Sequence, residues 1–198
     1  MTSTASGRRG SRVKAIKEIE TARLLLRQWR EEDLEAYARR CADPEVMRHF
    51  SYVLAREKSE AQVGRFVRHW NERGFGLWAV EEKASGAIIG FIGLQYNEEW
   101  SEGEHKTEVG WRLDRAWWNR DLATEGAPAS LDYGFEVREL ERFISFTVPK
   151  NAASLRAMEK CGLVQQGERD GVAWIEFGTL STAGIRRSPR TDRRRLTV

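Results

Sequence analysis

Three places in the chain combine residue types that could do chemistry. Glu108 lies in a run, Glu104 to Leu113, that alternates as a strand does. Val109, Trp111 and Leu113 fall on one face, and Glu108, Gly110 and Arg112 on the other. A carboxylate aimed at a reacting group can take its proton; the same carboxylate facing water does nothing. The second place is the turn Trp118-Asn119-Arg120-Asp121-Leu122-Ala123-Thr124, which leads into a helical stretch ending near Val137. The first N–H groups of a helix have no intrahelical acceptor and can receive an anion. The plain alternative is an ordinary strand-to-helix turn. The third is Asn151 with Ser154, at the start of a short helix that runs to Cys161. Asn151 can cap that helix. The Ser154 hydroxyl can donate to a departing group or satisfy its own helix end.

Other chemistries have no residues to carry them. His49, His69 and His105 do not form a ligand spacing, so no metal is expected, and His69 reads as a surface residue. Cys41 and Cys161 sit in unrelated contexts, which excludes a disulfide framework and points to a reducing cytoplasm. The longest apolar run, Ala87 to Gly93, is too short to span a bilayer, and residues 1–16 contain no apolar signal segment. At 198 residues, 40% hydrophobic and 32% charged, the chain reads as one soluble globular domain.

The net charge of +3 hides an asymmetry. Residues 1–17 carry five basic residues and no acid, residues 184–198 carry six arginines and Asp192, and residues 18–183 are left at −7. The basic ends, 1–17 and 181–198, read as solvated disordered tails around a domain at 18–180, with weak polyanion contact as the sharper alternative. An acidic body suits a cationic amine better than a nucleic acid.

The pattern along the domain gives the elements that must hold those three places. Ile19 to Trp29 reads as an edge strand. Arg30 to Cys41 has helical spacing through Leu34, Tyr37, Ala38 and Cys41, and Asp43-Pro44 stops it. Ser59-Glu60-Ala61-Gln62 has a capping-box pattern before the stripe Val63, Phe66, Val67 and Trp70, with Gly74 as the terminator. Gly76 to Lys83, Ala87 to Tyr96 and Glu104 to Leu113 are strands, the first two joined by a tight turn at Ser85-Gly86. After the helix before Val137 come a strand at Glu141 to Val148, the Asn151 helix, and two strands around Asp170-Gly171. The order is β-α-α-β-β-β-α-β-α-β-β: an α+β fold with a mixed, mostly antiparallel sheet of about seven strands and about four helices.

This order, with the stretches Thr21 to Arg27, Ile89 to Gly93, Glu108 to Leu113, Trp118 to Glu125 and Asn151 to Gly162, resembles the GCN5-related N-acetyltransferase (GNAT) superfamily, and within it the RimJ/RimL-like branch. The resemblance implies an enzyme that moves an acetyl group from acetyl-CoA, its co-substrate, to a primary amine, by direct attack in a ternary complex. It implies that residues 118–124 bind the cofactor's diphosphate, that Arg112 and Leu113 pair with its pantetheine arm, and that Asn151 bonds a pantetheine amide. Glu108 becomes the general base and Ser154 the proton donor to the thiolate.

The chain departs from the family pattern where Asn119 and Asp121 stand in place of glycines, and where Pro128 falls inside the predicted helix. Both Asn and Asp tolerate a left-handed backbone. An inward Asp121 would oppose phosphate, and Pro128 calls for a late helix start or a kink. These departures leave open a second reading, a non-catalytic acyl-CoA-binding or interaction module. Within the enzyme reading the magnitudes favour an α-amine. Its pKa of ~7.8 against ~10.4 for lysine makes it about 3.5 kcal/mol easier to neutralise. Phe50, Tyr52 and Trp100 lie where the family builds its acceptor pocket. Members occur as monomers and homodimers.

Overall fold

The computed structural model describes residues 17–50, 52–100, 105–169 and 172–177. Residues 1–16 and 178–198, including most of both basic ends, and the turn at Asp170-Gly171 lie outside the described residues. Strands β1 (Ile19–Glu20) and β2 (Leu24–Arg27) are followed by α1 (Asp33–Cys41), α2 (Pro44–Met47) and α3 (Arg56–Arg73). Then come β3 (Leu77–Glu82), β4 (Ala87–Tyr96), β5 (Thr107–Leu113), a 3-10 turn (Arg115–Trp117) and α4 (Leu122–Glu136). The chain closes with β6 (Phe143–Thr147), α5 (Ala152–Lys160), β7 (Val164–Arg169) and β8 (Val172–Phe177). The described strands form one sheet in the order β1-β2-β3-β4-β5-β6-β8-β7. Every pairing is antiparallel except β5 with β6. This is the expected α+β architecture.

Eight strands replace the expected seven because the first one breaks. Thr21 N–H donates to the Leu24 carbonyl at 2.9 Å, and the Thr21 hydroxyl accepts from Leu24 N–H at 3.0 Å. That turn folds β1 back on β2. The fifth helix is α2. Asp43-Pro44 ends α1 but also starts a new helix, with Asp43 Oδ1 accepting from Glu45 N–H at 2.8 Å and proline in the first turn. Ser59 is not a cap. The α3 helix begins a turn earlier, after extended Ala55, and the Ser59 hydroxyl donates to the Ala55 carbonyl at 3.1 Å. Gly74 ends α3 in the left-handed conformation, as its position suggests.

Alternation along the strands sorts two apolar layers. Leu24, Leu26, Trp78, Val80, Ile92, Leu94 and Val109 share one cluster with Leu131 and Tyr133 of α4. Leu77, Ala79 and Phe91 share the other with Tyr37 of α1 and Phe66 of α3. Helix α4 lies so close to the sheet that a Cβ at Gly126 would sit 2.6 Å from Ile92 Cδ1, and one at Gly134 would sit 2.4 Å from Phe143 Cζ. Among the described residues, no helix is long and apolar enough to cross a membrane.

A buried ionic knot ties β2 to α1 and β3. Arg27 donates to both oxygens of Asp33 at 2.8 and 2.9 Å, and through Nε to Glu81 at 2.7 Å. The Asp33 carboxylate also accepts from Arg30 N–H at 2.8 Å. Its partners hold the Arg27 guanidinium firmly in the charged form, the Asp33 hydrogen bonds first among them. Arg27 and Asp33 are 2% and 1% exposed, so removing one leaves a buried charge with too few partners. Asp33→Ala is expected to lower the stability measured by urea unfolding by about 3–5 kcal/mol. A loss under 1 kcal/mol would show that water reaches the knot.

Candidate active site

The site begins where the sheet comes apart. β5 pairs with β4 along its whole length, from Thr107 opposite Tyr96 to Leu113 opposite Gly90. It meets β6 at one parallel pair only, Glu108 with Ile144. Past that pair the two strands separate. Hydrogen bonds just outside the ladder fix its phase: Asp114 N–H donates to the Ile89 carbonyl at 2.8 Å, and Asn97 N–H to the Lys106 carbonyl at 2.7 Å. Alternation then sends the amides of Glu108, Gly110 and Arg112 to β4, and those of Val109, Trp111 and Leu113 toward the gap. The Leu113 carbonyl is taken by Trp118 Nε1 at 2.8 Å. Trp111 N–H, Trp111 C=O and Leu113 N–H remain turned to the gap.

The Arg112 amide, expected to be available, thus faces β4, and the gap-facing amides are those of Trp111 and Leu113. Arg112 bonds to Phe91 of β4, and its side chain is buried away from the gap. It touches Cys41 Sγ at 3.5 Å and Met47 Sδ at 3.3 Å, with its guanidinium carbon 4.6 and 5.1 Å from the Phe50 and Phe91 ring centres. Leu113 keeps a gap-facing N–H.

Glu108 stands at the vertex where the strands part, half-buried, on the sheet face covered by α1 and α3. Among the described residues its carboxyl has no hydrogen-bond or ion-pair partner. A Cβ at Gly110 would lie 3.4 Å from Glu108 Oε1, so the glycine leaves room beside the carboxyl. Burial pushes its pKa up to about 8.

Because β5 and β6 are parallel at this point, their C-terminal ends open at the same end of the gap. β5 leads into the 118–124 turn and β6 leads into α5. Asn119 and Asp121 both adopt left-handed backbones, with φ of 57° and 56°. The first helical bond of α4 runs from Glu125 N–H to the Asp121 carbonyl at 3.0 Å. The N–H groups of Leu122, Ala123 and Thr124 thus have no intrahelical acceptor. The Asp121 carboxylate turns away to Lys160 Nζ at 2.6 Å, and that ammonium holds its pKa below the usual range. The Arg120 guanidinium lies 4.9 Å from the Trp117 ring centre, and the Arg48 guanidinium 5.0 Å from that of Trp118. Leu122 is buried and anchors the helix, while the Thr124 hydroxyl donates to the Asp121 carbonyl at 2.8 Å. Glu125 pins this first turn to the β1–β2 turn, through Arg23 N–H and Arg23 Nε at 2.7 Å each. Pro128 does not delay α4, which starts at Leu122 and runs through it to Glu136. The Thr124 carbonyl loses its usual partner.

Asn151 caps α5 as expected: its Oδ1 accepts from Ser154 N–H at 3.2 Å. Its Nδ2 donates to Ser154 Oγ at 3.1 Å, which leaves the serine's own proton free to be given elsewhere. His69 is not a surface residue. It is half-buried, with Nδ1 2.9 Å from the Phe75 carbonyl and Nε2 accepting from Tyr96 N–H at 3.0 Å, and burial lowers its pKa. Trp100 stacks on Phe146 at 5.4 Å, and Phe50 and Tyr52 are exposed between α2 and α3. Among the described residues, no three His, Cys, Asp or Glu side chains group as a metal site would. Trp111, whose amide faces the gap, and Lys160, which pairs with Asp121, are not singled out by the sequence, because pairing phase and a contact 39 residues away leave no local signal.

Comparison with known proteins bears on this geometry. A family model described as an acetyltransferase (GNAT) domain matches residues 23–164. The uncharacterized N-acetyltransferase YnaD of Bacillus subtilis is 31% identical over 150 residues, 75% of this chain and 84% of its own length. Among solved structures, an acetyltransferase from Agrobacterium tumefaciens is similar with a TM-score of 0.74 at 23% identity, over 86% of this chain and 99% of its own. RimL, titled a ribosomal L7/L12 alpha-N-protein acetyltransferase in complex with coenzyme A, is similar in fold with a TM-score of 0.67 at 15% identity, over 82% and 98%.

The raised pKa of Glu108 has a consequence for stability that can be measured without any ligand. The folded state favours the protonated acid, so stability is full below the unfolded pKa near 4.5 and is lost as pH rises to about 8. Glu108→Gln is therefore expected to match the natural chain near pH 4 and to exceed it by about 2–5 kcal/mol at pH 9, in urea unfolding at both pH values. Equal stabilities at pH 9 would mean that the carboxyl is hydrated in the fold.

Proposed function

We propose, from the premise that this chain belongs to the acetyltransferase (GNAT) family, that it acetylates a primary amine with acetyl-CoA and that the preferred acceptor is an α-amine. The observation that carries this reading is Glu108, a half-buried carboxyl that has no partner among the described residues and stands at the vertex of a gap edged by free amides. Its pKa of about 8 lies beside the ~7.8 of an α-amine, so the proton passes between them at almost no cost. A lysine amine at ~10.4 would oppose the same transfer by about 3 kcal/mol. RimL, whose name specifies an alpha-N acceptor, is in keeping with this preference.

The thioester supplies an activated acetyl group; the chain's own residues do the rest. The N–H groups of Leu122, Ala123 and Thr124 receive the diphosphate, assisted by the positive end of α4. Asp121 does not oppose it, because its carboxylate is neutralised by Lys160. Trp111 and Leu113 pair with the amide arm as a neighbouring strand would. Glu108 takes the proton that the amine sheds. Ser154, its hydroxyl oriented by Asn151, gives its proton to the departing sulfur.

Three measurements test the reading. Purified protein is mixed with acetyl-CoA and a panel of N-terminal peptides and amines, and thiol release is followed. α-Amines are expected to react faster than lysine side chains; no release with any amine would overturn the proposal. With an acceptor amine of pKa below about 6, neutral throughout, kcat/KM is expected to rise with pH to a plateau above about 8. Glu108→Gln is expected to lose that rise and about 10²–10⁴-fold in kcat. For the cofactor cradle, Lys160→Ala is expected to weaken coenzyme A binding by calorimetry, and Asp121→Gly added to it to restore the affinity. Equal affinities in all three proteins would place the phosphates elsewhere.

A further inference from the structure

A cleft opens on the same sheet face as Glu108, one strand further along. It encloses about 230 Å³ between α3 and the strands, and Gln62, Arg65, Phe66, His69, Leu77 and Gln95 line it. Gln95 is the direct cross-strand partner of Glu108, so the two side chains project from one face about 5.5 Å apart. Phe66 and Leu77 are buried and form an apolar floor.

Above that floor, three side chains keep donors that the fold has not used: Arg65, Gln95 and the Gln62 NH₂. Arg65 is exposed and makes no hydrogen bond or ion pair among the described residues. Gln95 likewise has no partner there. The Gln62 carbonyl oxygen accepts the Tyr37 hydroxyl at 2.5 Å, which fixes the amide and turns its NH₂ the other way. His69 spends both ring nitrogens on the backbone and offers no charge. Among the described residues the lining therefore presents one guanidinium and two amide groups and no carboxylate, with Glu108 next to it across from Gln95. Such a wall binds oxygen acceptors and repels a second cation. It is a local exception on an acidic body. Through Gln95 it borders Glu108 directly, a separation of ~5.5 Å that one or two residues of a peptide can span.

We infer that this cleft is an acceptor subsite for the carbonyl or carboxylate oxygens next to an α-amine, and that it excludes polyamines. The inference rests on the acetyl-transfer reading for the position of the amine, but its test does not need catalysis. With coenzyme A saturating, so that no reaction occurs, trialanine amide, alanine, n-butylamine and putrescine are titrated by calorimetry. Trialanine amide or alanine is expected to bind at least tenfold tighter than n-butylamine, and putrescine no tighter than n-butylamine. Arg65→Ala and Gln95→Leu are each expected to weaken the oxygen-bearing ligand about tenfold and to leave n-butylamine unchanged. Whichever of alanine and trialanine amide binds tighter identifies the source of the oxygens, a free carboxylate or a peptide carbonyl. The subsite is overturned if the oxygen-bearing amines bind no tighter than n-butylamine, or if both variants bind them as the natural chain does. Absence of acetyl transfer alongside the expected binding pattern would overturn the enzyme reading and leave the subsite standing.

Discussion

One parallel pair, Glu108 with Ile144, joins the two halves of the sheet, and the chemistry proposed for this molecule depends on it. A longer ladder would satisfy the β5 amides with β6 and leave nothing to offer a ligand. A missing pair would let the two halves drift. One pair holds the strands at a vertex and frees the edge beyond it. The same pair sets their direction, so the segments that follow both strands lead into helix N-termini at one end of the gap, while the Glu108 carboxyl, without a partner among the described residues, stands at the other. The unsatisfied amides of Trp111 and Leu113 are costly to keep in the dry interior and cheap in an open gap, so the opening and its binding edge are one feature.

Much of this was legible in the sequence, for a physical reason: it is written in local signals. The strands β3 to β5, the glycine that ends α3 and the asparagine that caps α5 follow from alternation and from backbone preferences within a few residues. The left-handed backbones at Asn119 and Asp121 belong to the same class. What escaped was set at a distance. Whether Arg112 or Trp111 faces the gap depends on which β5 residues bond to β4, a phase that only the pairing decides. The harmless orientation of Asp121 depends on Lys160, 39 residues away in sequence. Ser59 has the pattern of a cap, yet helix propensity in Arg56 to Lys58 carries α3 a turn further back.

The buried arginines show how differently one residue type can be accommodated. Arg27 meets two carboxylates, so its buried charge is fully paired. Arg40 and Arg112 are 3% and 8% exposed; Arg40 donates to the Ile88 carbonyl at 2.6 Å and has one distant carboxylate, Asp114 at 3.9 Å from Nε, while Arg112 meets two sulfurs and two aromatic faces, and Nε makes no hydrogen bond in either. The region under α1 and α2 thus carries positive charge beside the sheet face that holds Glu108.

The two left-handed residues before α4 change how the turn meets a ligand. A glycine in either place would leave the turn many shapes in solution, most of them wrong for an anion. Asn119 and Asp121 accept some backbone strain, but their side chains narrow the range of shapes, and the Lys160 tether narrows it again. The cradle proposed for the diphosphate is therefore largely preorganised before anything arrives. Less ordering entropy is lost on association, at the expense of adaptability to an anion of another shape.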